Sequence, residues 1–208
     1  MKFDGKKTRR LRTTEISQIA GRAGRYKTDG KFGVTGGCEN LLPDEIERIE
    51  NHKLDDIKFL FWRNSDLNFK SSEDLIQCLE KKPSSKNFSK ISDSLDENVL
   101  KYLTRDKKLK FSNDKLPLLW ECCQIPDFQK KAFTHIDVVT RVFNFLNSKK
   151  NRIPNDYMKN QLKGLDNYKG NIDMIANKIS NVRTWSYVAN KKNWVENSDY
   201  WIQLTKNI

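Results

Sequence analysis

Apolar positions recur at helical spacing along most of this chain and cluster at strand-like spacing only near its start. Residues 1 to 37 predict strand, turn, helix, turn and strand: Lys2-Phe3-Asp4-Gly5 suits a tight turn, and Phe32-Gly33-Val34-Thr35 a short buried strand before Gly36-Gly37. From Pro43 the pattern turns helical, with proline suited to a first turn and Asp44, Glu45 and Glu47 near its positive end. Further helices are predicted over 54–64, 73–81 behind a Ser71-x-x-Asp74 cap, 95–104, 127–148, 155–163 and 171–189.

Two stripes stand out as core faces: Ile136, Val139, Val142, Phe143 and Leu146, and then Ile172, Ile175, Ala176, Ile179 and Val182. Residues 82–94, rich in Ser and Lys, read as a flexible surface connection. The last segment carries Tyr200, Trp201 and Leu204 at helical spacing and reaches Ile208 without a stop signal, so the chain is expected to be cut within a helix. The fold class expected is mainly α, opened by a short α/β piece.

Charge sharpens this picture. The chain has 208 residues, with 39 Lys and Arg against 27 Asp and Glu, a net +12 that favours an anionic partner. Residues 1–37 hold ten of those cations against Asp4, Glu15 and Asp29, which directs the search for an anion site to the first segment. Cys38, Cys78, Cys122 and Cys123 form neither a C-x-x-C pair nor a disulfide framework, which suits a reducing compartment. No apolar stretch approaches the roughly 18 residues of a membrane span, and no export signal opens the chain.

The stretch Gln18-Ile19-Ala20-Gly21-Arg22-Ala23-Gly24-Arg25 carries the most information. On a helix starting near Thr13 or Thr14, Ile16, Ile19, Ala20 and Ala23 would share a core face, and Gln18, Arg22 and Arg25 the opposite one. Guanidinium groups are always charged and contact phosphate oxygens bidentately, which suits them to stabilise negative charge. Gly21 and Gly24 would cost such a helix roughly 2 kcal/mol relative to alanine, so close backbone approach is the reason sought for them. A solvated helix face with two ordinary arginines is the plain alternative.

These residues match the Q-x-x-G-R-x-G-R pattern of motif six in superfamily-two helicases. Lys2-Phe3-Asp4-Gly5, Trp62 to Leu67, Leu119 to Asp127 and Val182 to Asn190 extend the likeness, and together the chain resembles the Suv-class RNA helicases of mitochondria and their bacterial relatives. The likeness runs from Lys2 to about Leu204 and is loose over 82–115.

The resemblance implies that residues 1–40 are the end of a second RecA-like helicase domain and that 41–208 are a helical C-terminal domain truncated at its end. It implies ATP with Mg²⁺ as cofactor, held mainly by a preceding domain, with Arg22 and Arg25 as catalytic arginines at the γ-phosphate. Gln18, Gly21, Arg22, Gly24 and Arg25 would form this chain's share of the nucleotide site. It also implies single-stranded RNA or DNA as track, an exoribonuclease as partner of some relatives, and a bacterial-type cytoplasm or mitochondrial matrix as location, with neither membrane association nor secretion.

The departures are equally informative. The chain has no Gly-x-x-x-x-Gly-Lys-Ser/Thr phosphate loop and no D-E-x-H-type box, so it is expected to be inactive alone and to be an NTP hydrolase only within an intact parent. A stand-alone, non-catalytic basic helical module that binds RNA or a protein is the alternative.

Other signals point to packing. His52 and His135 lack partners at metal-ligand spacing, so no metal site is expected. Cys122-Cys123, behind Leu118, Leu119 and Trp120, reads as buried thiol packing. Arg183, Trp185 and Tyr187 beside Lys191, Lys192 and Trp194 could stack bases, but buried aromatics with a solvated basic edge are the simpler reading. Phe59 to Trp62, with Arg63 and Asn64, read as an anchor of the helical part.

Overall fold

A computed structural model describes the backbone of residues 2–3 and the whole of residues 8–24, 29–105 and 109–208. The Asp4-Gly5 part of the predicted turn lies outside these residues. The architecture is mainly helical, as the periodicity implies, and it divides into two compact units between Leu60 and Phe61.

In the first unit, β1 (Lys2–Phe3) pairs antiparallel with β2 (Thr8–Arg9), and α1 (Thr13–Ala20) and α2 (Pro43–Glu50) follow. Pro43 occupies the first turn of α2, and the Leu42 amide donates to Glu45 Oε2 at 2.9 Å, so proline and acid start the helix together. α2 packs with α1 inside this unit, fastened by Arg10, whose guanidinium meets Glu45 Oε2 at 2.7 Å and the Asn40 carbonyl at 3.2 Å.

Two sequence expectations fail here. Residues 32–35 form no strand: Phe32 is half-buried and Val34 exposed. The helix expected over 54–64 is replaced by irregular chain and then β3 (Leu60–Trp62), because a short apolar run of bulky residues fits a pleated strand as well as a helix, and its pairing partner decides.

In the second unit that partner is β4 (Phe88–Lys90), inside the stretch expected to be a flexible connection, and the Ile91 amide donates to the Trp62 carbonyl at 3.1 Å. The helices are α3 (Ser72–Glu80), α4 (Leu95–Arg105), α5 (Leu116–Cys123), α6 (Ala132–Leu146), α7 (Asn155–Leu162), α8 (Ile172–Ala189) and α9 (Ser198–Asn207). The Ser71 hydroxyl accepts from the Asp74 amide at 3.0 Å, the cap the sequence announces. The helix expected from residue 127 begins only at Ala132, and α5 precedes it as a separate helix.

One continuous core fills this unit, from Leu75 and Leu79 through Leu100, Leu116, Leu119, Val139, Val142, Phe143 and Met158 to Trp185, Val188 and Trp201. Each such fully buried aliphatic side chain contributes about 1.5–3 kcal/mol. The α6 stripe is buried as predicted, Ile136 partly. The α8 stripe is not: Ile172 is 82% and Ile179 55% exposed, Ala176 is exposed, and burial on α8 passes to Thr184, Trp185, Val188 and Ala189 in its second half. Helical spacing marks a face but cannot supply the element that covers it, and the first half of α8 stands clear of the core.

Candidate functional site

The site singled out by sequence begins where β2 meets α1. Glu15 anchors this corner: the Arg9 guanidinium donates to its two oxygens at 2.7 and 2.9 Å, and the Arg12 amide donates to Oε2 at 2.9 Å. The acid therefore serves the first turn of the helix and a bidentate ion pair at once.

At the other end, α1 stops earlier than expected. The Gly21 amide still bonds the Ser17 carbonyl at 2.8 Å, but the Arg22 and Ala23 amides bond Ile19 and Ala20, three residues back, at 3.1 and 2.9 Å. The last turn tightens and the α-helix does not reach Arg25. Gln18 thus lies on the helix and Arg22 in the turn beyond it, four residues apart, while Arg25 lies outside the described residues.

Gly21 is right-handed, with φ −63°, so its backbone angles do not require glycine. Space is tighter at Gly30, where a Cβ would collide with the Gly24 nitrogen and with Ala23 as the chain crosses back over the turn. Sequence reasoning missed Gly30, although the Asp29-Gly30 pair is a turn signal.

The predicted core face of α1 is a correction. Ile16 and Ala20 are half-buried, but Ile19 is 59% exposed and Ala23 is exposed. A helix face needs a surface to pack on, and among the described residues of this unit the strands are only the two-residue pair β1 and β2.

The electrostatics separate the arginines into two groups. Arg9 is held by Glu15, Arg10 by Glu45 and Glu39, and Arg48 by Asp55 at 2.6 Å. The Arg22 and Gln18 side chains are exposed and form no hydrogen bond or ion pair among the described residues. Their guanidinium and carboxamide, like the exposed Arg12 and Lys31 side chains, are therefore free to meet an anion, and to that extent they fit a phosphate. The open cavity of about 410 Å³ in this unit is lined by Phe32, Val34, Leu41 and Ile46 with Asn40 and Glu50, and it offers no cation to a phosphate.

The weaker candidates of the second unit take structural roles. Trp185 and Trp194 are buried. Arg183 stacks on Phe128 at 4.1 Å, and Lys191 lies 5.2 and 5.7 Å from the Tyr187 and Trp194 rings and 3.1 Å from Glu121. Burial works against the Lys191 charge, but hydrogen bonds to Glu121 and Tyr187 outweigh it and raise the ammonium pKa. Cys122 and Cys123 are fully buried, and desolvation pushes both thiols well above their ordinary range.

Arg63 is also structural. It bonds Asp96 at 2.7 Å, lies 3.5 Å from buried Glu97, and covers the Trp120 ring at 5.0 Å. Among the described residues no group of three or more His, Cys, Asp or Glu is placed to hold a metal ion, and no helix is long and apolar enough to cross a membrane. His52 sits in an exposed turn, and His135 is buried.

No protein-family model, curated protein or solved structure matches this chain.

Proposed function

We propose that this chain is the C-terminal part of an ATP-dependent helicase acting on single-stranded RNA, or DNA, and that residues 1–40 are the end of a RecA-like domain carrying the arginine half of an ATPase site. The observation that carries this reading is the contrast between Arg22 and its neighbours. Within a motif of the form Q-x-x-G-R-x-G-R, the Arg22 and Gln18 side chains are exposed and without partners among the described residues, as is the Arg12 guanidinium outside the motif, while Arg9, Arg10 and Arg48 are neutralised by carboxylates.

Bound ATP would supply the phosphoryl group whose transfer to water drives movement. This chain's residues would do three things. Arg22, with Arg25, contacts γ-phosphate oxygens and stabilises the charge that grows there; Gln18 orients what lies beside them; the glycines keep the turn open to close approach. The described residues provide no ligand set for Mg²⁺, so the metal would be held elsewhere.

The test is hydrolysis by the protein that carries both halves of the site. Arg22→Ala or Arg25→Ala is expected to lower RNA-stimulated turnover on the order of 10³-fold while ATP binding is retained. Undiminished turnover in both variants refutes the assignment. The lack of a phosphate loop in these 208 residues favours a second reading, a non-catalytic basic helical module. Sequencing the coding DNA upstream of Met1 separates the two: an open frame reaching a phosphate loop supports the helicase, and an in-frame stop supports the module.

A further inference from the structure

Where α7 and α9 approach each other, Asn155, Lys159, Asn197, Tyr200 and Trp201 line an open cavity of about 280 Å³. Its floor is fixed. Trp201 is 1% exposed, and its indole Nε1 donates to Asn155 Oδ1 at 3.3 Å, which leaves the Asn155 Nδ2 as a donor. Tyr200 packs against Trp201 in a T-shaped contact, with ring centroids 4.9 Å apart and planes at 76°, yet it stays 54% exposed. An aromatic ring is therefore held in place and presented to solvent.

The polar lining has one character. Asn197, in the left-handed conformation before α9, makes no capping bond with its side chain, so its amide is uncommitted. Lys159 is exposed and has no ion-pair partner among the described residues. Asp156 and Asp199 neighbour these residues in sequence, but no carboxylate lines the cavity. A fixed aromatic, a lone cation and two carboxamides call for a ligand that is planar, rich in carbonyl and ring-nitrogen groups, and negatively charged beside the plane. A nucleotide unit has those features, and the volume suits a base with its sugar.

We infer that this cleft holds one nucleotide of a single strand, with its base stacked on Tyr200 and edged by Asn155 and Asn197, and its phosphate met by Lys159. Stacking on an aromatic side chain is tolerant of sequence because every base has a π face, and the lysine adds a salt-dependent contact. The inference rests on the nucleic-acid part of the proposed function and adds a site to it that is independent of Arg22 and of ATP.

The experiment uses the whole 208-residue chain without nucleotide and a fluorescent oligouridine of about 16 residues, long enough for one binding site. Tyr200→Ala is expected to weaken binding about 5- to 150-fold, and Tyr200→Phe to keep most of it. Lys159→Ala is expected to reduce the slope of log affinity against log salt by about 0.7, the share of one phosphate on a single strand. A cooperative melt like that of the parent shows that the variants fold.

Unchanged affinity in folded Tyr200→Ala overturns the cleft and leaves the helicase reading standing. Equal losses in the Ala and Phe variants overturn stacking. No binding to the oligonucleotide even at low salt overturns both the cleft and the nucleic-acid reading. Competition by free uridine monophosphate that matches the oligomer in affinity overturns the strand as occupant.

Discussion

Replacing Arg63 by Met tests the reasoning about the second unit most directly. Arg63 joins three elements: it follows β3, bonds Asp96 on α4 at 2.7 Å, and lies over Trp120 of α5 at 5.0 Å. It also lies 3.5 Å from the Glu97 carboxylate, whose side chain is only 5% exposed and whose Oε1 has no hydrogen bond. Methionine preserves much of the volume but removes the charge. Removing one partner of a buried pair costs about 3–5 kcal/mol because the other charge is left desolvated. Lys90 still approaches Glu97 at 3.4 Å, and Arg63 itself is 30% exposed, so the lower end, about 3 kcal/mol, is expected. For a domain of this size that corresponds to a fall in Tm of roughly 6–12 °C.

Urea unfolding followed by circular dichroism measures the loss. A second variant isolates its cause. In Arg63→Met with Glu97→Gln the orphaned charge is gone, and more than half of the lost stability is expected to return. If the double variant is no more stable than the single one, burial of Glu97 is not the source of the loss and the reasoning fails. Equal stability of Arg63→Met and the parent protein would refute it more simply.

The remaining predictions concern buried titratable groups. Burial raises the Cys122 and Cys123 thiol pKa values, so the folded chain keeps both protons while the unfolded chain releases them above about pH 8.5, the ordinary thiol value. Stability is therefore complete below that pH and falls as pH rises, by up to about 1.4 kcal/mol per pH unit for each thiol; urea midpoints from pH 8 to 10 check this, and a Cys122→Ala, Cys123→Ala variant should lose the slope. Thiol-reactive dye should modify exposed Cys38 in the folded protein and Cys122 and Cys123 only after unfolding; rapid labelling of the pair in the native state would contradict their burial. His135 moves the other way: burial lowers its pKa more than Asp127 raises it. Its neutral form is matched to the fold, so stability present above about pH 6.5 declines as pH falls below that value, and His135→Gln should flatten the decline measured between pH 7.5 and 5.

Much of the local helical structure was legible in the chain. Ser71 three residues before Asp74, Pro43 ahead of acidic residues, and the apolar stripe of α6 each encode local structure through a nearby hydrogen bond or a single helix face. The Cys122-Cys123 pair behind Leu118, Leu119 and Trp120 was legible for the same reason: a dense apolar segment has nowhere favourable to go but inward. Within the candidate site, the pattern of Gln18, Gly21 and Arg22 was visible, and so was the concentration of positive charge around it.

What the chain could not announce depends on partners distant in sequence. Leu60 to Trp62 became a strand and not a helix because residues 88–90 pair with it, and periodicity over a few bulky residues carries no record of such a neighbour. The equally regular stripes of α1 and α8 ended with Ile19 and Ile172 in solvent, because spacing creates a face and only packing covers it. Arg63 and Arg22 look alike as sequence, yet one side chain is fixed between Asp96, Glu97 and Trp120 while the other has no hydrogen bond or ion pair among the described residues. Local propensity and hydrophobic period were set by the sequence itself; which faces are buried, which charges are neutralised, and which are left to bind were decided by contacts that exist only in three dimensions.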